Sequence, residues 1–212
     1  MMSRILKPSK RASGVAPFLA MDMMREAGTL AAAGAHILHM EVGQPSGPPP
    51  QLVIEAAQQA LRSDRIGYTE AKGLPALRER IAAHYVEAYG VSVDPEQVIV
   101  TTGSSGSFVL AFLAAFDAGA RVALTSPGYP AYRNIFNALG IEVADIETSA
   151  ADRWAPTGDT GRELVSHGGV DGLLGASPAH HTGRRLMPDA LAALVSPCAE
   201  LGIWFCADES YN

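Results

Sequence analysis

Lysine is nearly absent from this chain. Lys7, Lys10 and Lys72 are the only three in 212 residues, so residues 73–212 can support no chemistry that needs an amine side chain. Cysteine is scarcer still: Cys198 and Cys206 cannot form a disulfide framework, and both are expected as buried free thiols in a reducing cytoplasm. Positive charge is in deficit. The net charge of −6 argues against nucleic acid as the main partner. No apolar run approaches the ~20 residues of a membrane span. Arg4, Lys7, Lys10 and Arg11 are arranged like the basic start of a signal peptide, but Pro17 and Asp22 interrupt the apolar stretch that should follow. Secretion and a membrane anchor are therefore not expected. What remains, 48% apolar and 18% charged residues, is the composition of a globular protein able to bury a good core.

Periodicity divides the chain into alternating elements. Residues 17–33 read as a helix ended near Gly34, followed by a short strand-like piece, Ile37–Val42. GQPSGPPP (43–50) is too rich in Gly and Pro for a regular element. Apolar residues at 52, 53, 56, 60 and 61 make a helical stripe, and a further helix runs from Pro75 to about Ala88, stopped by Gly90. Strands are expected at Val98–Thr101, Arg121–Thr125, Ile141–Asp145, Val170–Ala176 and Ile203–Ala207. Helices are expected at Ser105–Phe116, Ala131–Leu139 and Pro188–Leu201. Pro197 lies inside the last of these, which predicts a stop near Val195 and a restart. Strands alternating with helices mean an α/β fold with a mostly parallel sheet covered on both faces. No internal repeat or low-complexity segment is present.

The chemistry gathers where these strands end. TTGSSGS (101–107) follows one strand and opens a helix, a geometry that points backbone N–H groups at an anion. The small residues allow close approach, and Ser104, Ser105 and Ser107 add hydroxyls; a plain strand–helix connection has the same look. The segment is not GxGxxG and has no Walker lysine, which favours a small phosphorylated cofactor over a dinucleotide or ATP. SPGYPAYRN (126–134) places Tyr129 and Tyr132 in and just beyond a turn, as ring-stacking aromatics or as core. SPAHHTGRR (177–185) carries His180 and His181 without partners at metal-ligand spacing, so no metal is expected. Asp208 ends the last strand, as a partner for a protonated ring nitrogen or as a helix cap.

In order, these pieces resemble the class I/II aminotransferases of pyridoxal-phosphate (PLP) fold type I, from about Pro17 to Asn212. The resemblance implies an aspartate-aminotransferase-like large domain. Residues 1–45 would be an N-terminal arm and the start of a small domain, and 46–212 the N-terminal part of the PLP-binding domain. It implies PLP as cofactor, an amino acid and a 2-oxo acid as substrates, a homodimer in the full-length form, and a cytoplasmic location. VGQPSGPPP resembles the substrate-side glycine loop, with Gly43 near the substrate carboxylate. GYTEAKGLPALRERIA (67–82) resembles the stretch that brings a tyrosine, here Tyr68, to the neighbouring subunit's phosphate. Gly103, Ser104 and Ser105 match the phosphate turn, and Tyr132 the position of the ring-stacking aromatic. Asp208 matches the pyridine-nitrogen partner, and Tyr211 the tyrosine that hydrogen-bonds the phenolic oxygen.

The pattern also departs from the family. The usual SPxNPTG appears here with His180 in place of the asparagine and His181 in place of the proline. An imidazole can replace the amide donor, but its shape differs and it titrates. The family's Schiff-base lysine and carboxylate-binding arginine would fall beyond Asn212, so no catalytic residue is assigned. Lys72 matches no catalytic position and reads as a surface lysine. Two inner strands would also be missing, which predicts open sheet edges and a chain unstable and inactive by itself. The same cofactor motifs serve lyases, synthases and decarboxylases, and a non-catalytic truncated relic is a further alternative. A sensor with a DNA-binding helix pair is not, because no such pair precedes Gly43.

Overall fold

The computed structural model describes residues 6–43, 47–63, 66–156 and 169–211. The chain divides into two compact units, Met1–Pro17 with Gly103–Asn212, and Phe18–Thr102.

The first unit is built on a four-stranded parallel sheet of β1 (Arg121–Ser126), β2 (Glu142–Glu147), β3 (Gly172–Ala176) and β4 (Trp204–Asp208), in the order β2-β1-β3-β4. Among the described residues its helices are α1 (Lys10–Ser13), α5 (Ser104–Ala115), α6 (Pro130–Leu139) and α7 (Pro188–Leu201), with α2 (Leu19–Ala32), α3 (Gln51–Ser63) and α4 (Pro75–Tyr89) in the other unit. Strand alternation sorts the core onto two faces. Val122, Leu124, Leu174 and the partly buried Cys206 meet Phe108, Phe112, Phe116, Tyr132 and Phe136 from α5, α6 and the residue after α5. Ala123, Ala144, Ile146, Leu173 and Phe205 face the other way, against Leu194 and Cys198 of α7. The sheet is thus covered on both faces, as the alternating pattern requires. Gly172 is dictated by that packing: a Cβ there would stand 2.4 Å from the Phe116 ring.

Pro197 does not break α7. The helix runs continuously to Leu201, with Leu194 and Cys198 buried on either side of the proline. The proline removes one backbone donor from the ladder, and the Cys198 thiol donates to Leu194 O at 3.2 Å. Burial of Leu194 and Cys198 holds the last turn in place. Both cysteines are free, and burial pushes both thiols up.

The second unit contains α2 (Leu19–Ala32), α3 (Gln51–Ser63), α4 (Pro75–Tyr89) and a 3-10 turn, Pro95–Gln97. Two expected strands are absent from it. Ile37–Val42 forms no ladder, and Leu38 and Met40 are exposed. Val98–Val100 is extended but unladdered, because its polar groups bond elsewhere: Val100 N–H donates to Lys72 O at 2.9 Å, and Val98 O accepts from Arg78 Nε at 3.1 Å. Arg78 is only 3% exposed. It also donates to Pro95 O and to Glu96 Oε1. Lys72 Nζ donates to Glu96 as well, and the two cations hold the Glu96 carboxyl below its usual range, Lys72 foremost.

Candidate active site

All four strands run parallel, so their carboxyl ends share one edge, where ligands collect in open α/β sheets. The turns after β1, β3 and β4 meet there. Ala176 pairs with Asp208, and Ser177 N–H donates to Asp208 O at 3.0 Å. The side chain of Asp208 has the parity of Cys206 and therefore points to the α5/α6 face, where Tyr132 stands in the first turn of α6.

Asp208 is 5% exposed, and its carboxylate is fully engaged. Oδ1 accepts from Ser210 N–H at 2.9 Å and from Ser210 Oγ at 2.6 Å. Oδ2 accepts from the Tyr132 hydroxyl and lies 3.0 Å from His180 Nε2, which is also 3.0 Å from Tyr132 Oη. Burial by itself would push this carboxyl up. The hydrogen bonds from Ser210, Tyr132 and His180 outweigh it and hold the pKa at about 2. Burial, and then the bond to ionised Asp208, push the Tyr132 phenol far above its usual value, so it remains a donor.

Around this carboxylate the rings are ordered. Tyr132 is 4% exposed and stands edge-on to Phe108, centroids 5.1 Å apart at 90°. The Tyr129 ring lies parallel to the His180 imidazole at 4.5 Å and 15°. Tyr211 meets His180 edge-on at 5.0 Å. The turn that carries His180 is pinned by Ala179 N–H to Arg184 O, Gly183 N–H to Ala179 O, and Leu186 N–H to Ser177 Oγ.

Gly103 caps α5 at φ 83°, ψ 168°, a conformation open to glycine and costly for other residues. It turns the chain so that the N–H groups of Ser104 and Ser105 open the helix; Ser104 and Ser105 are exposed. Phe108, one turn further on, packs on Tyr132, which bonds Asp208.

The structure therefore brings together Tyr132, His180, Asp208 and Tyr211, and places Gly103, Ser104 and Ser105 on the helix that packs against them. Tyr68 and Gly43 lie in the other unit, both exposed. One residue of this site, Ser210, was not singled out by motif. Ser210 doubles the donors on Oδ1, and its signal is the Asp-x-Ser spacing of a side chain folded back on its own turn. Tyr129, offered by the SPGYPAY segment equally with Tyr132, supplies the ring face that the His180 imidazole covers. His181 is exposed, and among the described residues no cluster of three or more His, Cys, Asp or Glu side chains could hold a metal ion. No helix among them is long and apolar enough to cross a membrane.

Residues 35–212 match the family model "Aminotransferase class I and II". The chain is 43% identical to the valine–pyruvate aminotransferase of Mycobacterium tuberculosis, over 94% of this chain and 51% of that protein. It is 28% identical to the aspartate aminotransferase of Thermotoga maritima, over 96% of this chain and 54% of that one. Among solved structures, an aminotransferase from Mycobacterium tuberculosis superposes with a TM-score of 0.91 at 42% identity, covering 97% of this chain and 52% of the other. The Thermus thermophilus aspartate aminotransferase with maleate gives 0.92 at 27% identity, covering 97% and 53%. The chain spans about half the length of the relatives it matches, and its fold is aspartate-aminotransferase-like.

Proposed function

The chain belongs to the class I and II aminotransferases, and on that premise we propose that the whole protein moves an amino group from an amino acid to a 2-oxo acid with PLP. One observation carries the reading: a buried carboxylate, held ionised at neutral pH by four hydrogen-bond contacts, beside a parallel aromatic face and a helix N-terminus. These residues fit PLP. When bound, the cofactor supplies a pyridine ring that withdraws electrons from the substrate's alpha carbon.

The chain's own residues supply the rest. Asp208 keeps a proton at the ring nitrogen, since a buried carboxylate stabilises an adjacent cation. Ser210 and Tyr132 hold that carboxylate in one orientation. The Tyr132 ring is committed edge-on to Phe108, so the stacking face falls to Tyr129. Backbone N–H groups at Gly103, Ser104 and Ser105, with the serine hydroxyls, receive the phosphate. Tyr211 donates to the phenolic oxygen, and His180 lines the same ring site. In the homodimer, Tyr68 serves the neighbouring subunit's phosphate and Gly43 the substrate carboxylate region.

Valine and pyruvate are the first substrate pair to test, because identity to the valine–pyruvate relative, 43%, exceeds that to the aspartate relative, 28%. The full-length protein supplied with PLP is expected to form alanine from pyruvate in the presence of L-valine, and Asp208→Ala to lose most of that rate. Absence of amino transfer from valine, aspartate and the other common amino acids would overturn the reading.

A further inference from the structure

A carboxylate offers about four lone-pair positions, and Asp208 has four donor contacts: two from Ser210 on Oδ1, and the Tyr132 hydroxyl and His180 Nε2 on Oδ2. A further N–H donor can reach this carboxylate only if one of these leaves. Ser210 is bonded through its own backbone two residues away. Tyr132 is buried on α6 and wedged edge-on against Phe108. His180 sits on a turn after β3, and its side chain is 13% exposed. Of the four contacts, His180 makes the one that can yield.

The geometry of His180 is the second observation. A flat N–H heteroaromatic ring lies parallel to Tyr129 at 4.5 Å and hands its nitrogen to Asp208 Oδ2 at 3.0 Å. A protonated pyridine ring recognised by this site would have to make the same two contacts. We infer that His180 is an internal competitor for the cofactor ring, holding the Tyr129 face and the Asp208 carboxylate, and so sets how tightly this protein binds a pyridine ring. The inference rests on the PLP reading of the site and goes beyond it, since it assigns His180 an opposing role in place of a supporting one.

The probe is 4′-deoxypyridoxine 5′-phosphate, which carries the ring and the phosphate but no aldehyde, so its binding requires no lysine. Binding to the full-length protein is read by protein fluorescence or calorimetry. His180→Ala is expected to bind the probe about tenfold more tightly than wild type (about 1.4 kcal/mol), with the affinity for inorganic phosphate, which has no ring, unchanged. A second measurement needs no variant: saturating wild type with the probe should move the His180 imidazole resonances and remove their contacts with Tyr129. Equal or weaker probe binding by His180→Ala, or unmoved His180 resonances at saturation, would overturn the inference while leaving the PLP reading intact. No probe binding by either form would remove the PLP reading, and this inference with it.

Discussion

Tyr132 and Asp208 share a hydrogen bond in which the proton sits firmly on the phenol. Burial raises the tyrosine's pKa, while donors from Ser210, Tyr132 and His180 hold the aspartate at about 2. Linkage turns this into a pH dependence with a definite sign. In the unfolded chain an aspartate titrates near ~3.9. The stabilisation from Asp208 is therefore complete above that value and is lost as pH falls through about 2. The size is about 2–3 kcal/mol. Urea unfolding of wild type and Asp208→Asn should show a stability gap that narrows between roughly pH 5 and pH 2. A gap constant across that range would show that the carboxylate's charge is not what the site holds. Tyr132→Phe, which removes one donor from Oδ2, should raise the Asp208 pKa toward the usual range, as carboxyl carbon NMR would read.

At the scale of elements, the helices were legible because their signals are local. Gly90 and Gly140 stop α4 and α6 as the sequence reading expects, and Ser104–Ala115 lies within a residue of its expected bounds. Strands inside the sheet were legible for the same reason, but Val98–Val100 was not. Its apolar run reads as a strand, and a strand is decided by a ladder partner that no local pattern encodes. Here Arg78 and Lys72 take those backbone groups, and in the sequence Arg78, in the charged run Arg78-Glu79-Arg80 of a helix, reads as surface. Its burial makes it a test of the second unit. Arg78→Ala removes four hydrogen bonds to three acceptors, Pro95 O (twice), Val98 O and Glu96, together with a packed side-chain stem. A loss of about 2–3 kcal/mol is expected, with Arg78→Lys intermediate because it keeps the charge without the fork. Hydrogen exchange should speed up at Val100 N–H. Unchanged stability in Arg78→Ala would show that the 95–100 segment is held by something else.

For the molecule as a whole, the motifs that follow β1, β3 and β4 share one edge, since in a parallel sheet every strand end does, whereas the turn at Gly103 follows no laddered strand. The sequence could not tell which of Tyr129 and Tyr132 would be buried, because that depends on Phe108 arriving from a different helix. Phe108 belongs to the aromatic core and to the rim of the site at once. Phe112, fully buried, stacks on Phe108 at 5.7 Å and packs against Phe136 at 4.3 Å. Phe112→Ala is expected to cost about 3–5 kcal/mol and also to loosen Phe108 behind Tyr132. Leu194→Ala, on the opposite face of the sheet in the second core cluster, should cost about 2–5 kcal/mol without touching Phe108. Denaturation will therefore register both variants. Only Phe112→Ala should shift the Asp208 carboxyl signal and the near-ultraviolet dichroism of the site tyrosines. Equal disturbance of Asp208 by the two variants would mean that the carboxylate responds to sheet stability in general, and that the α5/α6 aromatic core has no particular hold on the site.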